Sequence, residues 1–172
     1  MLLDNTKLYD DVWGKVYTLL NFKPNGYSKA HSFDGDVPFV IHEKYAVYNV
    51  EKTDYNCIDK MEDTIRNIFI EVTEENERIY ALDWQHSAFL YNPRNKEEQK
   101  SIWVESSDYP GTGYTAYFPD FFPDGDYYFF IDEHFRFGYL GHPWRQEIWI
   151  FGEKLLNKFE QIYDELGWIK LI

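Results

Sequence analysis

The chain has 172 residues, with 17 Lys and Arg against 30 Asp and Glu for a formal net charge of −13. That length suits one domain, and that charge repels phosphate backbones and anionic lipid, arguing against nucleic acid or a membrane as partner. Aromatic residues make up 20% of the chain, which excludes disorder because such rings carry large burial energies.

The first segment to read as regular is a helix from about Asp4 to Leu20, where Val12, Trp13, Val16, Tyr17 and Leu20 recur at spacings of three and four and so share one face. Gly26 to Pro38, rich in Gly, Ser, His, Asp and Pro, reads as a loop. Val37 to Val50 reads as a strand. The next helix is capped by Asp54 or Asn56 and carries the stripe Ile58, Met61, Ile65, Ile68, Phe69 and Val72. Cys57, the only cysteine, lies beside that stripe and is expected to be a buried thiol; no disulfide can form within the chain.

Arg78 to Gln85 and Ala88 to Tyr91 are short, apolar and bounded by polar residues, the pattern of strands. Tyr127 to Ile131, Phe135 to Leu140 and Arg145 to Phe151 form a denser β region, the first two joined by Asp132-Glu133-His134 at hairpin length. A last helix, about Gly152 to Leu166, carries Leu155, Leu156, Phe159, Ile162 and Tyr163 on one face and stops at Gly167. No β-α-β unit repeats. The expected fold is α+β, a single domain over residues 1–172 in which about three helices cover one face of a mainly antiparallel sheet. No stretch approaches the roughly 18 apolar residues of a membrane helix, and the first residues do not read as a secretory signal. The expected location is the cytoplasm.

Three blocks carry a resemblance: Ala81-Leu82-Asp83-Trp84-Gln85-His86, then Gly125-Asp126-Tyr127-Tyr128-Phe129-Phe130, then Phe137-Gly138-Tyr139-Leu140-Gly141-His142-Pro143-Trp144-Arg145-Gln146. With Phe151-Gly152-Glu153-Lys154-Leu155-Leu156 behind them, they resemble the bacterial family called domain of unknown function 2716, mainly over residues 79–156. The N-terminal half is similar only at Trp13 and Phe22-Lys23-Pro24. The resemblance implies that the blocks share one domain and supplies no activity.

Candidate chemistry is sparse. The histidines are His31, His42, His86, His134 and His142, and none has the spacing of a closed metal site. No metal and no cofactor are expected. His86 and His142 sit inside the blocks, each near a Trp and a strand end. With Asp83, or with Asp126, they offer the carboxylate and imidazole of a general base, a hydrolase-like alternative in a strand-end pocket. Both also suit a packing role beside Trp. The serines lack a nucleophile elbow. Gly111-Thr112-Gly113 completes no nucleotide fingerprint and reads as a turn. An EF-hand aligned on Gly125 would put Phe122 and Ile131 at ligand positions, so that reading fails.

What remains is a charge pattern. From Ser101 to Phe135 there is no Lys or Arg, while seven acids stand among twelve aromatics. Exposed aromatics anchor interfaces, and acidic neighbours speed and select for basic partners. Glu105, Asp108, Tyr109, Asp120 and Asp124 are the partner-binding candidates. The leading expectation is a non-enzymatic protein-binding domain for a basic protein, of which an immunity protein covering a basic toxin is one form. The oligomeric state is left open.

Overall fold

The computed structural model describes residues 1–4, 6–24 and 36–172. The expected loop from Gly26 to Pro38 lies for the most part outside them, as does His31. Three helices are present among the described residues: α1 (Lys7–Leu19), α2 (Ile58–Val72) and α3 (Glu153–Ile162). The strands are β1 (Tyr45–Asn49), β2 (Ile79–Asp83), β3 (Ser87–Tyr91), β4 (Ile102–Glu105), β5 (Gly113–Ala116), β6 (Tyr128–Asp132), β7 (Gly138–His142), β8 (Glu147–Phe151) and β9 (Ile169–Lys170). Seven form one sheet in the order β3-β2-β6-β7-β8-β1-β9, and β4 and β5 form a separate hairpin. The strand pairs are antiparallel throughout the described residues. The fold is α+β.

Local chemistry sets the helix ends. The Thr6 hydroxyl accepts the Tyr9 amide at 3.1 Å and starts α1, satisfying one of the amides that a first turn leaves over. Asp54 accepts the Asn56 amide at 2.9 Å and starts a short 3-10 turn, Tyr55–Cys57, ahead of α2. At the far end of α2 the Arg94 guanidinium donates to the carbonyls of Ile70, Thr73 and Glu74 at 2.7, 2.6 and 3.0 Å, a cation closing the negative end of the helix. α3 begins after Gly152, whose φ is 90°. A Cβ there would stand 2.3 Å from that of Phe137, so only glycine fits.

The helices are divided between the two faces of the sheet, where the sequence suggested one. α1 places Val12, Trp13 and Val16 against Leu82, Phe129 and Leu140. α2 and α3 place Met61, Ile65, Phe69, Leu155 and Phe159 against Ala81, Phe130, Tyr139 and Ile148. Central strands covered on both sides have no polar face to show; β2 and β7 are buried at every position, and so is the edge strand β3. Much of the second core is aromatic: the Phe121 ring lies 4.2 Å from Phe130 and 5.5 Å from Phe69, centroid to centroid.

Cys57 is exposed, a correction to the expected burial. It occupies the N-cap of α2, ahead of the turn at which the buried stripe begins with Met61. No helix among the described residues is long and apolar enough to cross a membrane.

Candidate functional site

β2 ends at Asp83, and a three-residue turn, with Gln85 at a φ of 67°, carries His86 outward before β3. The left-handed residue lets so short a connection close. The Ser87 hydroxyl donates to the Tyr117 carbonyl at 2.6 Å and so ties this end of the sheet to the chain leaving β5. On the other side, Asp126 precedes β6 and its carboxylate accepts the Tyr127 amide at 2.8 Å. Between these three segments lies an open cleft of about 650 Å³. Asp83 forms part of its wall, with Tyr114, Thr115 and Tyr117 from the hairpin side and Asp126 and Tyr128 from the β6 side.

Asp83 is 6% exposed, and its Oδ1 has no hydrogen-bond partner among the described residues. Burial, and then the nearby Asp126 carboxylate, push its pKa up to about 7. Burial, followed by the charge of Asp83, likewise raises the Tyr128 phenol. The exposed His86 ring stands with Nε2 3.7 Å from Asp126 Oδ2, an ion-pair distance beyond hydrogen-bond length.

The sheet register separates the histidines. Asp83 pairs with Tyr128, and Tyr128 with Gly141, so these three point to the α2 side. His142 is one residue further along and points to the α1 side. There it is fully buried, with its ring 5.1 Å from that of Tyr127 and 6.2 Å from that of Trp144. Its Nδ1 accepts the Arg145 amide at 3.4 Å. Asp83 and His86 therefore share a cleft and His142 does not join them. Among the described residues no group of three or more His, Cys, Asp or Glu is placed to hold a metal.

The partner-binding candidates fall on a different feature beside this cleft. Glu105 ends β4, Asp108 and Tyr109 lie in the turn between β4 and β5, and Asp120 and Asp124 lie in the segment leading to β6; all five are exposed. Partial desolvation of the carboxyl group, and then the charge of Asp124, raise the pKa of Asp120. Glu105 accepts the Gly111 amide at 2.9 Å and braces the turn. Trp103, Tyr109, Tyr114 and Tyr117 are 59%, 71%, 44% and 67% exposed. Sequence reading does not single out Tyr114, Tyr117 or Tyr128 as cleft residues; the signal available is that tyrosine tolerates half-wet positions.

The model of the family described as "Protein of unknown function (DUF2716)" matches residues 3–156. The chain belongs to this family. The match takes in α1 as well as the later blocks, so the DUF2716 unit includes both faces of the sheet and every residue of the cleft. A relative within reach is the uncharacterized protein YxiI of Bacillus subtilis (strain 168), 30% identical over 162 residues, which is 92% of this chain and 90% of that protein. No solved structure matches the chain.

Proposed function

We propose that this DUF2716 protein is a non-enzymatic protein-binding domain that docks a basic partner on the face made by the β4–β5 hairpin and the segment from Tyr117 to Asp126. The observation that carries the reading is the exposure of four large aromatics, three on a hairpin outside the main sheet and Tyr117 just after it. Exposed aromatic rings are frequent anchors of an interface. The exposed acids Glu105, Asp108, Asp120 and Asp124 stand around them on a stretch without Lys or Arg, which favours a basic partner and a fast, salt-sensitive encounter. A toxin in the cytoplasm, whose positive surface this chain would cover as an inhibitor of the immunity type, is the form of partner that suits this charge best.

The test is association with a captured basic partner, comparing the wild type with Asp108→Lys/Asp124→Lys and with Trp103→Ala/Tyr109→Ala. Asp120 is spared because it stands near the half-buried Glu62, whose carboxyl feels its charge. The charge variant should associate at least tenfold more slowly at low salt and lose its salt dependence; the aromatic variant should dissociate faster. Wild-type kinetics in both variants would remove the reading.

A further inference from the structure

We propose that the cleft at Asp83 receives a single guanidinium group, the side chain of an arginine, and that this arginine belongs to the basic partner. The second clause rests on the docking reading above; the first stands on the cleft itself. An ionisable side chain that is 6% exposed, with a buried oxygen lacking any partner among the described residues, is costly to leave unsatisfied. Such groups are paired in proteins as a rule, and here the residue forms part of the wall of a cleft of about 650 Å³. No Lys or Arg lines that cleft among the described residues, and the His86 imidazole in its lining stands by Asp126, at 3.7 Å, so a permanent cation for Asp83 has to come from outside.

The walls indicate which cation. A guanidinium is flat, presents its donors as a fork that matches carboxylate oxygens, and stacks on aromatic rings. Asp83 and Asp126 supply the carboxylates, and Tyr114, Tyr117 and Tyr128 supply the rings. Burial, and then the neighbouring Asp126 carboxylate, raise the pKa of Asp83, as expected where a carboxyl is taken out of water beside a second one. A larger groove of about 850 Å³ runs between α1 and the β6–β7 turn, but none of its lining residues is buried and it presents no unsatisfied polar group. The cleft at Asp83 is the better-formed receptor.

The probes are N-acetyl-arginine amide, N-acetyl-lysine amide and the neutral N-acetyl-citrulline amide, titrated into the isotope-labelled full chain and followed by amide chemical shifts. The arginine probe should shift the resonances of residues 83–87 and 114–117 and saturate at millimolar concentration. The lysine probe should bind at least threefold more weakly, and the citrulline probe should give no saturable shift. Asp83→Asn should weaken the arginine probe at least tenfold. Tyr117→Ala, at a residue 67% exposed, should weaken it severalfold and provides a second variant should Asp83→Asn fold poorly. Absence of saturable shifts with the arginine probe, equal binding of the citrulline probe, or unchanged affinity in both variants would overturn the guanidinium site.

The partner arm is separate. If the arginine probe fails while the hairpin variants still slow association, the docking face stands and the cleft inference falls. If the probe binds and Asp83→Asn leaves partner dissociation unchanged, the assignment of that arginine to the partner is overturned.

Discussion

Glu62 offers the sharpest test of the energetics. It projects from α2 toward the segment before β6, where its Oε1 accepts the amides of Phe121 and Phe122 at 2.8 and 3.1 Å. Burial, and then the charge of Asp120, raise its pKa from 4.5 to about 7. Between those values the folded chain holds a proton that the unfolded chain has released. This group's contribution to stability therefore declines as pH rises through the window and is flat above it. At about 1.4 kcal/mol per pKa unit, the ionised carboxylate costs on the order of 3 kcal/mol at pH 8. Glu62→Gln keeps the accepting oxygen and removes the charge. The variant should be more stable than the wild type at pH 8, by up to about 10 °C in melting temperature at the roughly 2–4 °C per kcal/mol typical of this size. At pH 4 both proteins carry a neutral group and the gap should close. The assay is thermal and urea unfolding of both proteins at the two pH values. A gap of the same size at both, or a variant less stable at pH 8, would refute the reasoning.

Two further outcomes follow from particular contacts. Arg94→Ala removes the guanidinium that closes α2 and should cost about 1–2 kcal/mol in urea unfolding; Arg94→Lys should restore only part of it, because one ammonium cannot span three carbonyls, and full rescue would show that charge alone acts there. Cys57, exposed at the start of α2, should react with a thiol reagent as one full equivalent in the native protein, and reaction only after denaturation would contradict its placement.

The helices were legible because an amphipathic stripe repeats at three and four residues, and α1, α2 and α3 lie where Val12–Val16, Met61–Phe69 and Leu155–Phe159 recur. The central strands were legible as apolar runs. Their sidedness was not, since a strand buried on both faces shows no alternation; this is why the split of helices between the faces could not be read. β4, β5 and β9 are two to four residues long and largely exposed, too short for an alternation to show even where, as at Ile102-Trp103-Val104, the residues are apolar. The candidate site was half visible. Asp83 and His86 are neighbours in sequence and share the cleft, but the displacement of His142 depends on the parity of two strand registers, and a shift of one residue exchanges the faces.

The position of β1 in the sheet bears on how the chain folds. β1 lies early in the sequence, yet its hydrogen-bonding neighbours are β8 and β9, the last strands to be made. The β2–β3 pair and the β6–β7–β8 meander are local and can form as they emerge. β1 instead has neither edge partner until β8 and β9 have left the ribosome, and α2 behind it has only part of its surface to pack against. Closure of the sheet on β1 is thus a late, long-range step, and it sets the interval in which the nascent protein is most exposed to pairing with another chain.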